Sequence, residues 1–295
     1  MIITISAAAV AIYFCLLFIG RRLTVKHYEI VSKKVYREVR IVQISDLHGN
    51  SFGENNADLL DLVIKQKPDM VVLTGDIVTD ALPINGVADF IGTISSRYPC
   101  YYVYGNHELR YMVDKETENM MIGCGVGVLN GQKSEIKVGG RTIQVCGVID
   151  PKIKPDEFFS QLATLNNEID ITELSVLLTH RPEYAEKYAS YNFDVVLSGH
   201  AHGGHWRIPK IMNGLFAPNQ GLFPKYAGGR YDFDNQTLIV SRGLAKQYLI
   251  PRLFNPTELV VIDIVPSEKN ERNTQNGKNH CNSRYRKCGG SARHN

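Results

Sequence analysis

The chain has 295 residues, enough for one large or two small domains, with 44% hydrophobic and 21% charged residues, an ordinary globular balance. Its formal net charge of +3 is too small to argue for a nucleic-acid partner, and none is expected. Six cysteines, Cys15, Cys100, Cys124, Cys146, Cys281 and Cys288, form no CxxC pair and no framework spacing, so they read as reduced thiols.

The first element is IITISAAAVAIYFCLLFIG, which carries no charge and is about as long as the roughly 20 apolar residues a spanning helix needs. Nothing basic precedes it and Arg21 and Arg22 follow it, which favours an uncleaved anchor over residues 1–20 rather than a cleaved signal. Arg21, Arg22, Lys26, Lys33, Lys34, Arg37 and Arg40 crowd the next twenty positions. They make residues 21–37 a basic juxtamembrane segment, and the positive-inside rule puts that side in the cytoplasm. The expectation is a single-pass protein of the cell membrane with its folded domain, residues 38–266, on the cytoplasmic face.

Inside the basic segment VKHYEIVSKK alternates like a strand. After it, VRIVQISDLHGN, PDMVVLTGDIVTD, PCYYVYGNHE, LSVLLTHRP and FDVVLSGHAH share one grammar, a β-branched or aromatic run that breaks into Asp, Asn or His. These predict five buried strands ending in polar loops. Helix-like stretches such as ENNADLLDLVIKQ and NGVADFIGTISSRY lie between them, and the alternation points to an α/β layered domain. In such sheets ligands sit beyond the carboxyl ends of the strands, where every one of these loops falls. SEIKVGGRTIQVCGVID and YDFDNQTLIVSRG read as antiparallel pairs around tight turns and predict a second sheet. Residues 267–295 have almost no large apolar side chain and read as a disordered polar tail.

Taken in order, the loops supply Asp46 and His48, then Asp76, then Asn106 and His107, then His180, then His200 and His202. A lone strand-end Asp usually caps a helix, and a lone His usually lies on the surface or in a satisfied core. Five such loops at one end of a sheet do not fit those readings. Oxygen and imidazole donors without a thiolate suit Mn, Fe, Zn or similar ions, and there are more donors than one ion needs, so two divalent metal ions are expected.

DxH, GD, GNHE, a lone His and GHxH in this order, between Arg40 and Ile264, resemble the calcineurin-like metallophosphoesterase superfamily. The GHAHGG loop followed by WRIP, the N-terminal anchor and the closing SRGLAKQYLIPRLFNPTEL resemble its membrane-associated branch, which includes enzymes acting on UDP-2,3-diacylglucosamine-type lipid precursors. The resemblance implies an α/β fold, a layered α/β/β/α sandwich of two mixed β-sheets flanked by helices. It implies that Asp46, His48 and His202 hold the first metal, that Asn106, His180 and His200 hold the second, and that Asp76 bridges them. Alternate residues of HAH would reach the two ions if that loop is extended. The ions would activate a hydroxide and clamp phosphoryl oxygens. His107 would act on the transferring phosphoryl group or the leaving oxygen, and Glu108 would orient an imidazole. Gly75, Gly105 and Gly199 would permit unusual backbone at the turns, and Gly203 and Gly204 would let backbone approach the phosphate.

Two positions depart from the branch. His205 stands where Gln is common and reads as a substrate contact, a proton donor or a solvated side chain, and Ile149 replaces a polar residue next to Asp150. Trp206 is a packing residue at the rim or, on the other reading, an acyl-chain contact. The expected activity is hydrolysis of a phosphoester, phosphodiester or pyrophosphate bond on a membrane-proximal or lipid-linked substrate. The alternatives are a phosphatase of soluble nucleotides or phosphoproteins and a non-catalytic scaffold; the intact donor set argues against the scaffold. No obligate protein partner is inferred.

Overall fold

The computed structural model describes residues 13–15, 20, 22–79, 85–110, 112–246 and 252–267. The anchor expected over residues 1–20 and the polar tail from 267 therefore lie almost wholly outside the described residues. Among those described, no helix is long and apolar enough to cross a membrane.

The five apolar runs form β2 (Val39–Ile44), β3 (Met70–Thr74), β4 (Cys100–Val103), β8 (Leu174–Leu178) and β9 (Val195–Ser198). Each is buried along nearly its whole length, as strands covered on both faces must be. Their side chains still alternate between two cores. In β3, Val71 and Leu73 face a helix-covered core while Met70 and Val72 face the opposite sheet.

One sheet has the order β1-β14-β2-β3-β4-β5, with β1 at Thr24–Ser32, β5 at Gly127–Val128 and β14 at Glu258–Pro266. The second has the order β12-β13-β9-β8-β7-β6, with β6 at Lys133–Val138, β7 at Arg141–Gly147, β12 at Gly229–Asp232 and β13 at Thr237–Val240. Both are mixed. β2 through β5 run parallel and β14 is antiparallel to β2, while β7, β8, β9 and β13 run parallel between the antiparallel edges β6 and β12. The expected antiparallel pairs are β6 with β7 and β12 with β13.

Between the sheets lies a core that includes Ile41, Val72, Val103, Val145, Val176 and Leu197. The outer face of the first sheet is covered by α1 (Ala57–Gln66), α2 (Asn85–Ser95) and α4 (Asp114–Gly123), which deliver Leu59, Val63, Phe90, Ile94 and Met121. The outer face of the second is covered by α5 (Pro155–Glu168), which delivers Phe158, Leu162 and Leu165 at i, i+4 and i+7, the spacing of one helix face. The α/β/β/α layering follows from these cores.

The basic segment departs from a free juxtamembrane stretch. β1 runs parallel to β14 over nine residues, Thr24 opposite Glu258 through Ser32 opposite Pro266. Lys34, just beyond it, reaches Asp194 before β9 at 2.7 Å. Residues 24–34 thus form an edge of the first sheet and tie it to the second, and a domain boundary at residue 38 cuts across that sheet.

Candidate metal centre

Every donor loop leaves the carboxyl end of a central strand. Asp46 and His48 follow β2, Asp76 follows β3, Asn106 opens α3 (Asn106–Arg110) after β4, His180 follows β8, and His200 and His202 follow β9. The first four come from one sheet and the last three from the other, so the centre straddles both layers.

Three overlapping groups result among the described residues: Asp46, His48 and His202; His48, Asp76 and His107; and Asp76, His180 and His200. Within each, the donor atoms lie within 4.8 Å of one another. The Asp76 carboxylate is central. Its Oδ2 lies 3.2 Å from His180 Nε2, 3.6 Å from His48 Nε2 and 4.0 Å from His107 Nε2, and its Oδ1 accepts the His107 backbone N–H at 2.8 Å. On the other side, Asp46 Oδ1 is 3.9 Å from His202 Nε2. His200 Nδ1 is 3.2 Å from His180 Nε2.

The backbone at these donors is unusual. Asp46, His48, Asp76, His200 and His202 all have positive φ, between 47° and 66°, in the left-handed region that non-glycine residues seldom occupy. The two HAH imidazoles diverge because of these turns. His200 packs against His180 and His202 against His48, with ring centroids 4.9 Å and 5.3 Å apart. The expected extended loop is replaced by a short 3-10 turn at His202–Gly204.

Burial and charge set the protonation states. Burial holds His48 down to about 4 and pushes His200 and His202 well below the usual imidazole range. Those three rings are therefore neutral, as a metal-binding imidazole must be. Burial would lower His180 too, but the Asp76 charge and hydrogen bond, with Asp46, lift it to about 10. Asp76 is raised by burial and, more strongly in sum, lowered by His180, His48 and His107, so it stays well below the usual carboxylate range. Burial raises Asp46 to about 6 against the charge of His180. The second ring nitrogens are fixed by protein: His180 Nδ1 meets the Thr74 carbonyl at 2.8 Å and His200 Nε2 meets Asn219 Oδ1 at 2.9 Å.

The donor set fits divalent cations. Asn106 Oδ1 is buried without a hydrogen-bond partner, an unfavourable state that a cation relieves. Imidazoles anchored at one nitrogen and turned inward at the other are the arrangement metal sites use. His107 is the most open imidazole of the set, with 32% of its side chain accessible, and stacks edge-on against His48 at 4.6 Å.

Several expected roles change. Glu108 orients no imidazole. Its buried carboxylate accepts the backbone N–H groups of Asp76, Ile77, Val78 and Gly105 at 2.6–3.2 Å, stapling the GD loop to the GNHE loop. Asp150 is buried, pairs with Arg181 Nε at 2.5 Å and caps its own turn through the Lys152 and Ile153 N–H groups, so its carboxylate is spent on protein. Gly203 and Gly204 are buried at positive φ; a Cβ on Gly203 would lie 2.1 Å from Asn255 Oδ1, and one on Gly204 2.5 Å from Gly214 Cα. Loop packing therefore requires glycine at both positions. Gly105 and Gly199 are glycines for closeness, since their Cβ atoms would fall on Asp76 Oδ1 and Ser45 Oγ. His205 lies beside Phe216 at 6.3 Å and Trp206 is partly exposed at the rim.

Four contributing residues went unread in the sequence. Arg181, fully buried, bonds Asp150, Glu183 and Asn219 and lies 3.0 Å from His200 Nε2. Asn219 comes from the turn between the short strands β10 (Phe216–Ala217) and β11 (Gly221–Leu222). Arg252, also buried, donates to the carbonyls of His202, Arg242, Gly243 and Ala245. Asn255 Nδ2 holds the carbonyls of His202 and His205. The closing SRGLAKQYLIPRLFNPTEL segment thus shapes the HAHGG loop from behind.

The comparisons agree with this geometry. Residues 39–204, more than half of the chain, match the family described as calcineurin-like phosphoesterase. A metallophosphoesterase of Campylobacter jejuni is 28% identical over 245 residues, covering 81% of this chain and 63% of that protein. One of Aquifex aeolicus is 28% identical over 252 residues, covering 82% of this chain and 92% of its own. The phosphodiesterase YaeI of Escherichia coli is 27% identical over 238 residues, covering 77% and 82%. This chain therefore spans less than two thirds of the Campylobacter relative but most of the other two. The match over residues 39–204 places the chain in the calcineurin-like phosphoesterase family.

Proposed function

We propose that the protein hydrolyses a phosphoester bond with two divalent cations, and that its substrate is membrane-proximal or lipid-linked. The observation that carries the first part is the position of Asp76, whose carboxylate touches both imidazole nests. Asp46, His48 and His202 would hold one ion, Asn106, His180 and His200 the other, with Asp76 between them. When bound, such ions supply Lewis acidity that activates a water nucleophile and neutralises phosphoryl oxygens. His180, anchored on the Thr74 carbonyl, and His200, anchored on Asn219, keep their remaining nitrogens turned inward. His107 stands at the open side, where its ring hydrogen-bonds the phosphoryl group or protonates the leaving oxygen. A phosphodiester is favoured by the likeness to YaeI, and the uncharged sequence of residues 2–20 supports a substrate at the membrane. The same segment and the basic residues after it support a cell-membrane protein with its catalytic domain on the cytoplasmic side.

The test uses the full chain in detergent with bis-p-nitrophenyl phosphate, p-nitrophenyl phosphate and a UDP-linked diacyl sugar, with and without Mn. Metal-dependent turnover that is lost in Asp76→Asn and His200→Ala supports the reading. Turnover independent of metal, or metal binding with no turnover of any substrate, sinks it. A soluble ester preferred over the lipid in mixed micelles removes the membrane-proximal part alone.

A further inference from the structure

Beside the metal centre the structure carries an apolar surface that the hydrolytic chemistry does not use. Trp206, Ile211, Phe216, Leu222, Phe223 and Phe254 are between 39% and 83% exposed, whereas a soluble surface seldom gathers large apolar side chains. They are held together by backbone. Leu215 N–H bonds the Trp206 carbonyl, Phe223 N–H the Leu215 carbonyl, and Arg207 N–H the Leu253 carbonyl. Phe216 and Leu222 are direct partners in the β10–β11 pair, so they share one face of it.

We propose that this face docks onto an anionic lipid leaflet and presents the metal centre to headgroups there. Two observations choose the occupant. The first is charge. From Val195 to Tyr231 the chain has no Asp or Glu, and from Ser241 to Thr257 again none, while Arg207, Lys210 and Lys246 lie in these stretches; Lys225 and Arg230, also there, are ion-paired with Glu186 and Asp232. An apolar face set in acid-free, basic loops matches an anionic bilayer surface. The second is where the apolar N-terminal segment meets the domain. Gly20, its last residue, packs against Arg252, where an added Cβ would lie 2.7 Å from the Arg252 carbonyl oxygen. Arg252 is two residues from exposed Phe254, so Gly20 meets the domain at the segment that carries Phe254.

The docking face and the site are one mechanical unit. The hairpin that exposes Phe216 and Leu222 carries Asn219 at its turn, and Asn219 Oδ1 holds His200 Nε2. The proposal rests on the membrane-proximal reading above and deepens it by assigning the contact surface.

Trp206 is the only tryptophan of the chain, so its fluorescence reports this face alone. The full chain is reconstituted into vesicles of equal phosphatidylglycerol and phosphatidylcholine, with ordinary or brominated acyl chains. The expected result is a shift of Trp206 emission to shorter wavelength and loss of most of it in brominated lipid. Quenching should fall in Leu222→Ser/Phe223→Ser, whose exposed side chains can change without disturbing the core. Emission that is shifted but not quenched means that protein, either the N-terminal segment or a second copy, covers the face, and overturns the proposal. Unchanged emission, or equal quenching in the double variant, overturns it as well. Turnover of bis-p-nitrophenyl phosphate in the same samples keeps the two readings apart. Quenching without turnover in the unmodified chain sinks the phosphoesterase reading only, and turnover without quenching sinks only the docking.

Discussion

Replacing Gly105 by Ala tests whether the centre depends on the contact between two strand-end loops. A Cβ built on Gly105 would lie 2.1 Å from Asp76 Oδ1 and 2.3 Å from Asp76 N, more than about 1 Å inside the roughly 3.5 Å optimum for non-bonded atoms. Rotating the Asp76 side chain cannot relieve the backbone overlap, and the Gly105 N–H is pinned to Glu108 Oε2 at 3.0 Å. The loops must therefore separate by about 1 Å, an overpacking cost of roughly 1–3 kcal/mol. For a domain of this size that corresponds to about 2–12 °C in Tm. The displacement carries Asp76 and Asn106 with it, and a 1 Å misplacement of catalytic groups costs about 100-fold in rate. The control is Gly123→Ala at the end of α4, where an added Cβ meets nothing within 4 Å; it is expected to be neutral or to stabilise by up to about 1 kcal/mol. Calorimetric melting and steady-state hydrolysis of a chromogenic diester are the assays. A Gly105→Ala protein that melts and turns over like the unmodified chain refutes the argument that loop contact positions Asp76.

Arg252→Met removes the guanidinium that donates to the carbonyls of His202, Arg242, Gly243 and Ala245, of which His202 and Gly243 keep a second donor in Asn255 Nδ2 and the Glu258 N–H, and is expected to cost about 3 kcal/mol or more; an unchanged urea midpoint would falsify the stapling role. Asn219→Ala frees the His200 ring and should weaken Mn binding about 10–100-fold, with little change in melting because Asn219 is exposed; calorimetric titration decides, and unaltered affinity removes Asn219 from the site. Burial pushes the thiols of Cys100 and Cys146 up to about 12, so their thiolates are scarce at pH 8. Peptide mapping after iodoacetamide should find both unmodified in the native protein and modified in urea; native labelling of either contradicts the packing.

The donors were legible because apolar strands that stop abruptly at Asp, Asn or His leave a local mark, and five such marks reinforce one another. The residues that support them leave none. Arg181 is a neighbour of His180 in sequence, yet its contacts with Asp150 and Asn219 lie 31 and 38 residues away, and no local pattern announces a buried guanidinium. Arg252 and Asn255 reach His202 across 50 and 53 residues. At Glu108 a carboxylate one residue from a histidine suggests an imidazole partner, and only the folded loops reveal the backbone N–H groups. The helix α5 carries ordinary helix signals, Pro155 at its first turn and the Phe158, Leu162, Leu165 spacing. β1 was read as a strand, but its charge drew it into the membrane-flanking segment; its pairing with β14, more than 200 residues on, has no local trace.

The left-handed turns at Asp46, His48, Asp76, His200 and His202 restrict which chemistry the site can acquire. Asn, Asp and His are the non-glycine types that tolerate this backbone best, and β-branched or bulky residues at the same angles would strain it by about 1–3 kcal/mol each. Turn geometry and cation coordination thus select from nearly the same short alphabet. A thiolate or a Glu introduced at these positions meets resistance from the main chain before any ion is involved. The scaffold is therefore a filter on its own variation: new substrates can be met by changing the surrounding loops, while the donor letters stay confined to the few that the backbone accepts.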